Sequence, residues 1–219
     1  MLGLLPLLRI EVVFEAISLV IGLFIAFQSF RAYSVLRSSS FFLLGVGFIL
    51  MSLAMLFRTT VVGFVLTTAQ PLGRMPLPPL GLVAVEIIYS VVRVLAYVVF
   101  IAAYALSRSR QPQAIQLLSP LLITVYNPLF EIVSAGLLVY VVVETERNWA
   151  SERARGSGGI FTGFLILLIS HILFFLTPLG SLYYLLGHTA QLVALAMILL
   201  GTYEAGASAR PPATPAAPA

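Results

Sequence analysis

His171 and His188 are the only histidines in the chain, and both lie inside apolar segments. The segments meet at Thr177-Pro178-Leu179-Gly180, so each imidazole is about eight residues, or roughly 12 Å of helix rise, from the turn. Two antiparallel helices joined there set both rings at one depth in a bilayer. An imidazole titrates near neutrality, ligates metals and haem iron, and both donates and accepts hydrogen bonds. Four roles are open to the pair: proton sensing or relay, a metal site completed by a third ligand such as Glu15 or Glu86, two axial ligands of a b-type haem, or ties between helices. The tight turn argues against haem, because closely packed hairpin partners leave little room for a porphyrin.

The other ionisable groups at membrane depth are Glu11, Glu15, Arg58, Glu86, Arg93 and Glu131. Such groups are costly in lipid and are candidates for function by default. Glu11 and Glu15 share one helix face at i, i+4; Glu11 is expected in the headgroup region and Glu15 against a neighbouring helix. Arg58 comes to the level of Glu15 when the first two segments fold back on each other, which predicts an ion pair between them. Glu86 and Arg93 are seven apart, about 10 Å along a helix, too far for a direct bond. Glu131 follows Asn127-Pro128, where a broken helix could expose carbonyls beside a carboxylate and hold a cation; the plainer reading is a carboxylate near a helix N-terminus. Gln191 is one turn from His188. Glu15, Arg58, Glu86, His171, His188 and Gln191, with Glu131, form the candidate ligand- or ion-binding set.

The composition says what must position these groups. Of 219 residues, 60% are hydrophobic and 9% charged, with a mean hydropathy of +1.07. Average soluble chains are about a quarter charged, so the solvent for this surface is lipid. The chain has no cysteine, which excludes disulfides, thiolate metal sites and thiol catalysis. All twelve cationic side chains are arginine. They are spread over loops rather than gathered on a phosphate-binding face, so the basic balance does not point to nucleic acid. There is no phosphate-cradling glycine loop, no HExxH and no nucleophile elbow. The segment starting at Met1 lacks a basic leader and is long enough to span, so it reads as a membrane segment rather than a signal peptide.

Apolar runs predict helices over about 8–30, 40–67, 81–106, 159–176 and 180–203. Together with the region between them they make one all-α membrane domain, 1–204. The Pro/Ala-rich tail, 205–219, is expected to be disordered. Residues 114–143 are ambiguous. As one helix they would reach about 45 Å, and Pro120 and Asn127-Pro128 oppose an unbroken helix. As two pieces, 114–126 and 128–143, each is short. Loop arginines arbitrate. If 114–143 enters and returns, and the N-terminus is outside, eight loop arginines lie inside and two, Arg9 and Arg74, outside. If the segment crosses once, the two sides differ only as six and four. The positive-inside rule favours the first arrangement: seven segments, N-terminus out and C-terminus in, with a six-segment bundle carrying one kinked helix as the alternative. Only in the seven-segment case do Glu15, Arg58, Glu86 and the histidines share one outer layer. Gly159 and Gly163 give a small-xxx-small spacing, and Trp149 sits beside the arginine-rich loop as an interface anchor.

The runs Ala26-Phe-Gln-Ser-Phe-Arg-Ala-Tyr33 and Ser40-Phe-Phe-Leu-Leu-Gly-Val-Gly-Phe48, with Ser170-His-Ile-Leu-Phe174 and Leu186-Gly-His-Thr-Ala-Gln-Leu192, resemble a pattern in uncharacterised archaeal polytopic membrane proteins. The resemblance covers about a third of the chain and implies an archaeal plasma-membrane protein with a sensory or envelope-machinery role. From the residues themselves, the expectation is a non-enzymatic sensor or accessory subunit that binds a small ligand, proton or ion in an outer polar cluster and acts through a partner membrane or cytosolic protein. A transporter or channel component built on Glu131, and a haem-binding redox subunit, are the alternatives.

Overall fold

In lipid a backbone must satisfy its own hydrogen bonds, which leaves long apolar runs little choice but helix. The computed structural model describes residues 4–72, 79–108 and 127–208, and these form six long helices. They are α1 (Leu4–Leu36), α2 (Ser39–Leu72), α3 (Pro79–Arg108), α4 (Asn127–Glu152), α5 (Ser157–Phe175) and α6 (Ser181–Ser208), with a short 3₁₀ turn at Thr177–Leu179. No strand occurs among the described residues. Among the described residues, five segments are long and apolar enough to cross a membrane: Arg9–Leu36, Ser39–Thr68, Val83–Ala105, Ser157–Phe175 and Ser181–Ala207. The protein is therefore a polytopic helical membrane protein. In α4 the charge-free run from Ile132 to Val143 has twelve residues (143 − 132 + 1), roughly 18 Å of rise against a core of about 30 Å.

Most expected helices are longer than predicted. The polar stretch from Glu144, expected as loop, continues α4 to Glu152. Glutamate and arginine are good helix formers, and Arg147 pairs with Glu144 one turn back at 3.0 Å. The end of α6 reaches Ser208, past the expected domain boundary. The predicted piece 114–126 and most of the predicted disordered tail lie outside the described residues.

The helices form a closed ring in chain order, each packed on the next and α6 on α1. Large side chains fill its centre. Phe48 and Phe100 lie 4.8 Å apart, and Phe100 and Phe164 5.4 Å, joining α2, α3 and α5. Outward faces carry Val13, Val20, Phe27, Phe64, Ile132 and Leu200, as lipid-facing helices should.

The described links, α1–α2, α4–α5 and α5–α6, are short and specific. Arg37 takes a left-handed conformation (φ 53°) to end α1, and its N–H donates to the Tyr33 carbonyl. Gly156 (φ 85°) ends the α4–α5 link where a Cβ would strike the Gly201 carbonyl of α6. The α5–α6 hairpin turns at Thr177-Pro178-Leu179-Gly180, as expected. Its helices touch closely: a Cβ on Gly163 would lie 2.8 Å from the Ala194 carbonyl oxygen, and one on Gly159 3.1 Å from Gly201. The small-residue spacing read from the sequence thus sits on a helix contact.

Helix direction follows from contacts at the two ends. Phe14 stacks on His188, and Gly206 comes close to Ala32, so α1 and α6 run parallel. Arg93 bonds Glu131 near the start of α4, while Tyr104 shares a cavity with Thr145 and Asn148 late in α4. Hence α3 and α4 also run parallel, and α3 ends and α4 begins at opposite ends of the bundle.

Candidate functional site

The ionisable residues converge at the end of the bundle where α1 begins. Counted along the spanning segments from that end, Glu15 is six residues in (15 − 9), His188 seven (188 − 181), and Arg58 and Arg93 ten each (68 − 58 and 93 − 83). That places them about 9 to 15 Å deep. They surround a cavity of about 320 Å³. Its walls include Glu11, Glu15, Arg58, Glu86, Arg93 and Glu131, with Tyr89, Phe174, Tyr184, His188 and Gln191, and the α5–α6 turn closes one side.

Arg58 is the centre of the first group. Its guanidinium meets Glu11 and Glu15 of α1 and, through Nε at 2.8 Å, Glu86 of α3. Thr59 Oγ1 donates to the other oxygen of Glu15 at 3.3 Å. The pair predicted between Glu15 and Arg58 is present, and two further carboxylates share it. Glu11 departs from its expected place in the headgroups: it is buried, because the i, i+4 spacing puts it on the same inward face as Glu15. It contacts Arg58 as an ion pair without an aligned hydrogen bond at Oε1. Glu86, its side chain 30% exposed, is the most accessible of the three carboxylates.

The second group is deeper. Arg93 Nη2 donates to Glu131 Oε1. The other Glu131 oxygen accepts from His171 Nδ1 at 2.5 Å, and His171 Nε2 lies 2.6 Å from the Tyr97 hydroxyl. A neutral imidazole carrying its proton on Nδ1 satisfies both contacts, accepting the Tyr97 O–H at Nε2. The guanidinium carbons of Arg58 and Arg93 each lie 5.0 Å from the Tyr89 ring centroid, so this tyrosine couples the two groups by cation–π contact.

The two histidines do not bond each other. Phe174 stands between them, 6.2 Å from His171 and 4.9 Å from His188, both edge-on. Phe14 stacks on His188 at 5.7 Å and Tyr184 meets it edge-on at 4.6 Å. These three rings fix an imidazole that is 6% exposed and whose Nε2 has no hydrogen-bond partner.

Six of the seven residues singled out from sequence line one cavity: Glu15, Arg58, Glu86, Glu131, His188 and Gln191. The seventh, His171, is behind Glu131. With both ring nitrogens engaged it has no lone pair to offer iron or zinc, so the residues do not fit a haem held by His171 and His188, nor a metal shared by them. Among the described residues, no group of three His, Cys, Asp or Glu side chains could hold a metal ion. Each Glu131 oxygen already accepts one hydrogen bond, from Arg93 and from His171.

Sequence reasoning left Arg93, Tyr89 and Tyr97 out of the site. Their spacing of four residues, 89, 93 and 97, puts them on one face of α3 with Glu86, a polar stripe legible beforehand. That Arg93 chooses Glu131 was not legible, because it depends on α3 and α4 running parallel.

Comparison with protein-family models, with curated proteins and with solved structures finds no match to this chain.

Proposed function

We propose that this is a non-enzymatic membrane sensor or accessory subunit that takes up a proton or small cation in the cavity around Arg58. The observation that carries it is charge. Three carboxylates, Glu11, Glu15 and Glu86, converge on one guanidinium, while among the described residues Arg93 pairs with Glu131. Formally ionised, the cavity walls hold four carboxylates and two guanidiniums, an excess of two negative charges (4 − 2). An uncompensated charge at membrane depth costs several kcal/mol. Positive charge supplied from outside the protein, as protons or as a bound cation, relieves it. With its charged groups embedded in a helical bundle, such a protein passes its state to a partner membrane or cytosolic protein through helix positions.

The same observations support the seven-segment topology. The helix directions agree with its parity: α3 ends and α4 begins at opposite ends of the bundle. Arg31, Arg37, Arg147, Arg153 and Arg155 gather at the end opposite the cavity, which supports a reading with that end on the cytoplasmic face of the plasma membrane and the cavity on the outer side. The archaeal resemblance is compatible with this placement.

A ligand that binds only the folded state raises the melting temperature with its concentration. In lipid nanodiscs, thermal unfolding should shift upward and saturate as sodium chloride or acid is added. Glu86→Gln, the least buried change, should cut the shift at least threefold. A melting temperature indifferent to both cations, in a well-folded protein, would contradict the proposal.

A further inference from the structure

The chemistry of the cavity narrows the cation, resting on the reading above. Its charge excess asks for a positive group. Yet the acidic residues at its mouth are tied to Arg58, and no three-ligand set for a metal ion is present among the described residues. The remaining wall is aromatic: Tyr89, Phe174 and Tyr184 line the cavity. Aromatic faces attract organic cations and contribute apolar contact at the same time. Among these rings is His188, nine-tenths buried, fixed by Phe14, Phe174 and Tyr184, with an unpartnered Nε2. A buried polar atom without a partner is costly and rare. A neutral imidazole presents a lone pair at that nitrogen in one tautomer, an acceptor for an N–H. The volume of about 320 Å³ is at the small end of the range for organic ligands.

We propose that the cavity binds the primary ammonium group of a small organic amine, its N–H donated to His188 Nε2, its charge set against the carboxylates around Arg58, and its apolar part against Phe174 and Tyr184. Three features are thereby required of the ligand: positive charge, an N–H, and a short apolar body.

The test is calorimetric titration of the full chain in nanodiscs with 2-phenylethylammonium, trimethyl(2-phenylethyl)ammonium and neutral 2-phenylethanol. Saturable binding of the primary ammonium, at least tenfold tighter than either of the other two, is the expected result. His188→Phe keeps the ring packing and removes the acceptor, and should weaken the primary ammonium at least tenfold while leaving the trimethyl compound unchanged. His188→Gln, which retains an acceptor, should recover part of the loss. Equal binding of the trimethyl compound overturns the hydrogen bond to His188. Equal binding of the alcohol overturns the need for charge. The ligand series needs no variant, so the inference stays testable if His188→Phe fails to fold. If no amine binds while melting still responds to sodium or acid, the ammonium inference fails and the broader cation reading stands. If neither response is seen, both fail.

Discussion

Glu131→Gln removes one charge and almost no volume, so its effect isolates the electrostatics of the deeper group. Arg93 is 5% exposed and His171 2%, and both are bonded to the carboxylate that the substitution neutralises. Removing one partner of a buried ion pair costs about 3–5 kcal/mol. The glutamine carbonyl can still accept from the guanidinium or from the imidazole, but not from both. The expected loss is therefore near the lower end, about 3 kcal/mol, which lowers the folded-to-unfolded ratio roughly a hundredfold. Arg93→Met in the same chain should recover most of this, because the glutamine then serves His171 and no charge of this group is left unmatched. The double variant should lose only about 1 kcal/mol, about 2 kcal/mol less than Glu131→Gln alone, so the favourable coupling exceeds about 2 kcal/mol by whatever Arg93→Met costs by itself. Reversible unfolding in mixed micelles, followed by circular dichroism, gives all four corners of the cycle. A Glu131→Gln effect below about 0.5 kcal/mol, or simple additivity of the two substitutions, would refute the reasoning from a buried, matched pair.

Two other outcomes follow from helix packing and direction. Gly163→Ala should destabilise by about 1–3 kcal/mol, since its Cβ meets the Ala194 carbonyl. Gly136→Ala, where a Cβ meets nothing within 4 Å, should stabilise by up to about 1 kcal/mol; comparing the melting points of the two variants checks both. The absence of native cysteine permits single-cysteine labelling in intact cells. Ser39→Cys and Ser151→Cys should both be protected from an impermeant thiol reagent, and Leu179→Cys, at the cavity end, should react. Labelling of Ser151→Cys without Ser39→Cys would break the parallel arrangement of α3 and α4.

Much of the architecture was legible because lipid leaves few alternatives: apolar runs of spanning length become helices, and proline and glycine mark the α5–α6 turn. The Glu15–Arg58 pair was legible from counting residues either side of one short loop. What could not be read was anything that depends on non-neighbouring helices. His171 looks like the equal of His188 in sequence, but contact with Tyr97 and Glu131 saturates one imidazole, while aromatic packing leaves a nitrogen of the other without a partner. Helix ends were misplaced for a local reason. Glu144 to Arg147 is polar enough to read as loop, yet it is made of helix formers at pairing distance.

The central claim is that His188 faces a cation-accepting cavity while His171 is locked in a bonded network. Only two histidines are present, so the chain labelled with ring-¹⁵N histidine gives a spectrum that His188→Phe assigns completely. The measurement is solid-state NMR of the full chain in lipid bilayers during titration with acid and, separately, with sodium chloride. The expected result is a saturable shift of the His188 ring nitrogens, with those of His171 unmoved over the same range. Movement of His171 alone, both rings moving together, or a silent His188 would contradict it.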